Sequence, residues 1–262
     1  MTAKPITAIV GLDESEASAI AEGINTPSII HLTLPKILVQ DGQLWMESDR
    51  GPRMVPVEKV IYHAIYEDDL DFISGLALWN GACLPRAHAM MDCRLKLPCL
   101  VRALTFTRFG SPARGYASAR VRIDTDIERV AKWGNWHCGE NKERFNSASP
   151  YTTSEPSIIE PYFVGQAVRV VIIGDQAWQI KLDGSSWLKS IHDERAHFMD
   201  VDADLFEDTR RVKQGFGLDV IANDYIVGDD GQKHLLEVNH IPNVTRFPEI
   251  WAAYRDFCIA WV

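Results

Sequence analysis

The chain has 262 residues, 46% of them hydrophobic and 24% charged. It can bury a core of its own, as one large domain or two small ones packed together, which excludes a disordered tail, a fibrous repeat and a staple-dependent module. No apolar run approaches the ~20 residues of a membrane-spanning helix, and 27 basic against 36 acidic residues leave a net charge of −9, a field that disfavours nonspecific nucleic-acid binding and anionic membrane surfaces.

From the amino end, residues 6–11 read as a short apolar strand closed by glycine. Residues 13–23 follow as a helix, with Asp13 and Glu16 at capping-box spacing and Gly23 as a stop. Residues 28–34 form a second strand, and 36–47 a hairpin around Asp41-Gly42. Another strand at 57–66 and a helix at 68–79, ended by Asn80-Gly81, complete a small α/β layer to about residue 90. Residues 97–106 read as an amphipathic helix with Pro98 in its first turn, then 117–123 and 127–133 as strands. The polar stretch 134–156, rich in Asn, Ser, Thr, Glu and Pro, reads as a long exposed loop of the kind that serves as a lid.

Beyond it the pattern is regular. A strand at 158–163 precedes a hairpin of 167–173 and 176–182 around Gly174-Asp175. A helix covers 205–216, and 219–227 with 234–239 form a second hairpin around the loop from Gly228 to Gly231. The last helix, 248–261, spaces Ile250, Trp251, Tyr254, Phe257, Cys258 and Trp261 for a core.

Charge is unevenly distributed. Between Cys93 and Ile123 there are seven cations and no acid, so something anionic is expected against them, either a ligand or the protein's own surplus carboxylates. Five cysteines without a CxxC pair, and a start with one lysine before a short apolar strand, imply reduced thiols, no secretory signal and a cytoplasmic location.

Several motifs fail on inspection. Gly134-Asn-Trp-His-Cys-Gly139 has phosphate-loop spacing but lacks the following Lys and Ser/Thr. His192 and His197 miss the spacing of a zinc-protease helix. Asp200, Asp202 and Asp204 alternate as in a calcium loop, yet Leu205 and Arg211 stand where Gly and Glu are needed. No nucleophile elbow or dinucleotide fingerprint is present.

One constellation holds. If the loop from Gly228 to Gly231 closes symmetrically, Asp224 lies opposite Leu235 and diagonal to Glu237, so Asp224, Glu237 and Asn239 share one face of the hairpin. Three oxygen donors there suit a hard cation such as Mg2+. The surrounding run Leu235-Leu-Glu-Val-Asn-His-Ile241 reads as buried strand, where carboxylates are costly unless paired or metal-bound.

The run Gly217-Leu-Asp-Val-Ile-Ala-Asn-Asp224-Tyr-Ile-Val, with Leu235-Leu-Glu237-Val-Asn239-His-Ile-Pro242, resembles the ATP-grasp signature. More narrowly it is similar to the branch holding the ribosomal-protein glutamate ligase, glutathione synthetase and synapsin. The resemblance runs from about residue 81 to 242. It implies an α/β (α+β) fold in which two subdomains, 91–158 with the lid and 159–262 with the metal site, sandwich the nucleotide behind an N-terminal α/β domain at 1–90.

The resemblance also implies roles. Asp224, Glu237 and Asn239 would hold Mg2+, with Mn2+ as an alternative, against ATP. Gly165-Gln-Ala-Val-Arg169 resembles a glycine–arginine segment whose arginine stabilises the transferred phosphoryl group. Ile159-Glu160-Pro-Tyr162-Phe163 resembles the hinge strand that reads adenine, and Lys132 the strand lysine on the phosphates. Lys181 falls where relatives carry a cation facing the γ-phosphate. Relatives begin the central subdomain with Asp-Lys; here Asp92 precedes Cys93-Arg94-Leu-Lys96, so Arg94 or Lys96 takes the first phosphate position. Trp136 and His137 stand in the lid, where they would contact substrate or a partner.

The chemistry implied is ATP-dependent, ADP-forming ligation of a carboxylate to an amine or related nucleophile through an acyl-phosphate. The acidic-poor segment points to a small-molecule or peptide substrate carrying negative charge. A kinase acting on an anionic alcohol, a silent Mg-ATP-binding module and a plain interaction domain stay open beside the ligase, as does a homodimer.

Overall fold

A computed structural model describes residues 6–134 and 141–262 of the chain. Trp136 and His137, with the rest of the phosphate-loop-like run after Gly134, lie outside the described residues. No helix among those described is long and apolar enough to cross a membrane. Cys83, Cys93, Cys99 and Cys258 are free and buried.

The N-terminal layer is a parallel sheet in the order β2 (Ser28–His31), β1 (Thr7–Val10), β6 (Lys59–Tyr62), β7 (Ala82–Leu84). The helix α1 (Glu14–Gly23) begins with the expected capping box. Asp13 Oδ1 accepts from the Glu16 amide at 2.8 Å, and Glu16 accepts from the Asp13 amide at 3.1 Å. The hairpin β3 (Ile37–Gln40) and β4 (Gln43–Ser48) turns at Asp41-Gly42, both left-handed at φ 52° and 73°. A third strand, β5 (Gly51–Val57), extends it; the sequence pattern places a strand only from its last residue, Val57. The helix α2 (Asp69–Trp79) ends at left-handed Asn80. Two further helices follow, α3 (Ala87–Arg94), which the sequence pattern did not announce, and α4 (Lys96–Ala103), with Pro98 in its first turn.

The central layer is an antiparallel sheet ordered β11 (Lys142–Phe145), β10 (Arg129–Trp133), β13 (Ser157–Pro161), β8 (Gly115–Ala117). A two-stranded ribbon, β9 (Arg122–Ile123) with β12 (Tyr151–Thr152), lies beside it. The stretch expected as one long loop therefore contains two strands. β13 straddles the boundary expected at 158/159, since it pairs with β10 throughout.

The C-terminal layer is a five-stranded antiparallel sheet in the order β16 (His197–Met199), β15 (Gln176–Lys181), β14 (Gln166–Ile173), β17 (Val220–Val227), β18 (Lys233–Asn239). One face packs against α5 (Ala203–Phe216) and α4, burying Val168, Val170, Ile172, Leu205, Val212, Ile221 and Tyr225. Asp202, in the failed calcium pattern, is the N-cap of α5. The other face carries Val171, Ile173, Ile180 and Ala222. These join one apolar cluster with Ile9, Ile20 and Ile61 of the N-terminal layer and with Ile250, Tyr254 and Cys258 of α6 (Pro248–Trp261). The central sheet has only a small cluster of its own, Ala117, Ala131, Phe145, Tyr151 and Ile159.

Candidate functional site

On the α6 side of the C-terminal sheet, apolar residues give way to polar ones. Beyond Val171 and Ala222, the next same-face positions are Arg169 on β14 and Asp224 on β17, paired in register. Glu237 lies directly opposite Asp224, and Asn239 opposite Ala222. The hairpin register differs from the symmetric closure expected. Val227 pairs with Lys233 rather than Gln232, which shifts β18 by one residue, and a bulge between Asp224 and Tyr225 shifts it by one more. Two single shifts restore the parity, so Asp224, Glu237 and Asn239 share a face as expected, but with Glu237 squarely across from Asp224.

Arg169 Nε and Nη2 donate to the two Asp224 oxygens at 2.6 and 2.8 Å, a bidentate fork. Lys142 on β11 approaches Glu237 to 3.5 Å from the central layer. The Asn239 side chain is buried, and its Nδ2 has no hydrogen-bond partner among the described residues. No group of three or more His, Cys, Asp or Glu stands ready for a metal among those residues. The set is two carboxylates and an amide oxygen, all hard donors, while the unpartnered Asn239 end is the NH2 group, which does not ligate a cation. That chemistry fits Mg2+ or Mn2+ completed by ligand oxygens, and not a soft or tetrahedral metal.

The cleft between the central and C-terminal sheets is lined by Lys132, Lys142, Glu160, Tyr162, Phe163, Asp224 and Glu237. At its floor, Glu160 is 2% exposed. It accepts from Arg114 Nε at 2.9 Å and pairs with the Lys132 ammonium. Burial pushes the Glu160 pKa up, but the charges of Lys132 and then Arg114 outweigh it and hold the carboxyl below its usual value. Burial pulls the Lys132 ammonium down, against the attraction of Glu160. Glu160 thus braces two cations beneath the cleft instead of presenting its carboxylate to an adenine.

Just beyond β13, the Phe163 ring stacks on His234 with centroids 3.9 Å apart, and the Arg144 guanidinium lies 3.8 Å over the Tyr162 ring. Gly165, at φ 155°, passes so close to β17 that a Cβ there would sit 2.3 Å from the Val227 carbonyl oxygen.

A second cavity of about 340 Å3 adjoins the first on the face that carries Asp224 and Glu237. Arg169, Asp224, Glu237 and Asn239 form its inner wall, while Gly11, Glu16 and His63 of the N-terminal layer and residues 189–192 form the outer one. Burial pushes the His63 imidazole down to about 4, and the ring packs tilted against Tyr254 with centroids 4.7 Å apart.

The fold thus brings Lys132, Glu160, Tyr162, Phe163, Asp224 and Glu237 to one cleft, with Arg169 and Asn239 in the adjoining cavity. Two expected residues stand apart. Arg94 is 5% exposed and pairs with fully buried Asp69 between α2 and α3, donating also to the Tyr66 carbonyl; it is a structural cation, whereas Lys96 lines a small recess with Lys132 next to the cleft. Lys181 pairs in register with Val168, whereas Arg169 pairs with Ile180, so Lys181 stands on the opposite sheet face from Asp224.

The basic segment is largely answered by the protein itself. Arg94 pairs with Asp69, Arg102 with Asp92, Arg108 with Asp204, Arg114 with Glu160 and Arg122 with Asp124. The segment therefore gives no ground for an anionic substrate. Sequence reasoning missed Lys142 and Arg144, which lie in the stretch read as loop. Their period-two spacing around Glu143 was the available signal.

No protein-family model and no curated protein sequence matches this chain. Among solved structures it is similar to the ATP-grasp ligase PsnB complexed with a phosphomimetic variant of its minimal precursor, Mg and ADP, at TM-score 0.67 and 14% identity over 98% of both chains. It is similar to the macrocyclase MdnC bound with precursor peptide MdnA from Microcystis aeruginosa MRC, at TM-score 0.65 and 16% identity over 98% of this chain and 100% of that one. D-alanyl-alanine synthetase A from Vibrio cholerae O1 biovar eltor gives TM-score 0.65 and 13% identity over 99% and 98%. Together with the two-sheet cleft and the polar end of the β17–β18 hairpin, these likenesses show that the chain has the ATP-grasp fold.

Proposed function

We propose that the protein is an ATP-dependent ligase that joins a carboxylate to an amine or related nucleophile. The observation that carries this reading is the position of Asp224 and Glu237 on the wall shared by two cavities, one between the sheets and one facing the N-terminal layer, with Asn239 beside them in the second. A nucleotide in the first and an acceptor in the second would meet at these residues.

Tyr162, Phe163 and Gly165 would receive the base, and Lys132, Lys142 and Lys96 would face the polyphosphate. Asp224, Glu237 and Asn239 would hold Mg2+, which supplies charge neutralisation at the transferred phosphoryl group. Arg169 is held on the acceptor side of that group by its fork to Asp224, where a fixed guanidinium stabilises charge that develops on a carboxylate undergoing activation. The Glu160 brace holds Lys132 in place and opposes the burial that pulls its ammonium down. The walls of the second cavity, with Leu12, Ile241 and Val244 among them, exclude water from the reacting carboxylate.

The PsnB and MdnC structures hold precursor peptides, which supports a peptide as one substrate here. Incubating the protein with Mg-ATP and a panel of peptides and small amine–carboxylate pairs, while following ADP and product mass, tests the reading. A ligase gives ADP, free phosphate and a product one water lighter than its parts. A stable phosphate ester assigns a kinase instead, and nucleotide binding without turnover a silent module.

A further inference from the structure

The two carboxylates of the metal site are held by cations of different origin. Asp224 is forked by Arg169 from the neighbouring strand of its own sheet, so that pair is fixed by strand register. Glu237 is met by Lys142, which belongs to the other sheet and reaches across the cleft. Lys142 lines both cavities and the small recess beside Cys93 and Cys99. Its strand neighbour Arg144, on the same face two residues on, covers Tyr162 and lies 5.6 Å from the Trp187 ring. One short strand thus reaches the opposing wall at Glu237 and, at longer range, at Trp187.

Resting on the metal reading above, we propose that Lys142 is the positioning residue that couples cation loading to the spacing of the two sheets. It holds the Glu237 carboxylate in the cation-free protein, and a divalent cation at Asp224 and Glu237 displaces it, which releases β11 and leaves the ammonium facing the polyphosphate. Lys142 and the cation compete for one carboxylate with partly buried partners, 15% and 19% exposed. Removing the ammonium must therefore strengthen cation binding and uncouple it from β11.

The test uses the whole chain without nucleotide. Mn2+ binding is measured by electron paramagnetic resonance for the unaltered protein and for Lys142→Met, Lys142→Arg and Lys189→Met. Lys189 lines the same cavity but donates to the Gly184 carbonyl at 2.9 Å, so it controls for the loss of any nearby positive charge. Lys142→Met is expected to bind Mn2+ about three- to tenfold more tightly, with Lys142→Arg and Lys189→Met near the unaltered value. Hydrogen exchange in residues 141–146 should accelerate when Mg2+ is added to the unaltered protein and be fast and unresponsive in Lys142→Met, circular dichroism confirming the fold of each. Equal or weaker binding by Lys142→Met, or equal tightening in Lys189→Met, overturns the proposal while the metal reading stands. Failure of the unaltered protein to bind Mn2+ overturns both.

Discussion

Arg169 and Asp224 are register partners on adjacent strands, and their side chains meet in a two-point fork of 2.6 and 2.8 Å. The same arginine therefore orients a carboxylate of the candidate metal site and lines the second cavity. Asp224→Asn keeps the shape and removes the charge. It should weaken Mg-ADP binding by about 10- to 100-fold while the protein stays folded, as calorimetric titration with a melting curve on the same sample would show. Unchanged affinity would remove Asp224 from the metal site.

Glu160 stabilises two buried cations at once. Replacing it with Gln leaves Arg114 and Lys132 uncompensated and should cost about 3–5 kcal/mol of folding stability, read as a fall in the urea midpoint. Because the folded carboxyl titrates below the unfolded value of 4.5, the stability it gives is present at neutral pH and is lost as the pH falls below that value.

His63 gives a second acid-sensitive element in a higher window. Its imidazole ordinarily titrates at 6.5 and is held near 4 in the fold, so protons favour the unfolded chain as the pH drops from 6.5 toward 4. Linkage gives a loss of about 2 kcal/mol by pH 5 from this group. His63→Phe retains a ring against Tyr254, and the stability difference between pH 7.5 and pH 5 should shrink by about that amount. An unchanged difference would show that His63 charges freely.

Gly165→Ala should be the most damaging single-methyl change in the cleft. The new Cβ meets the Val227 oxygen at 2.3 Å and the Gly228 Cα at 2.9 Å, and both belong to backbone that the hairpin fixes. A loss of about 1–3 kcal/mol, with weakened nucleotide binding, is expected from melting curves and titration. A neutral outcome would mean that the β14–β17 end of the cleft yields.

Much of this architecture was readable from local chemistry. The capping box at Asp13, the left-handed turn at Asp41-Gly42 and the two C-terminal hairpins fall where spacing placed them. That Asp224, Glu237 and Asn239 share a face was legible for an incomplete reason, because the loop offset and the β-bulge each moved the register by one residue and their sum preserved the side. Lys181 could have been placed correctly, since the turn at Gly174-Asp175 sets it opposite Val168; family likeness alone put it on the wrong face. Arg94 was not legible. Its partner Asp69 lies 25 residues away on another helix, and pairing over such separations is set by tertiary packing. Lys142 was hidden for the same reason, as its partner Glu237 stands on a different sheet.

The apolar cluster running from Ile9 through Val171 to Cys258 has a mechanical consequence. It welds the first and last thirds of the chain into a single anvil, and the thin central sheet, with five buried residues to itself, is left as the hammer. That sheet is therefore the layer least tied to the others by apolar packing among the described residues.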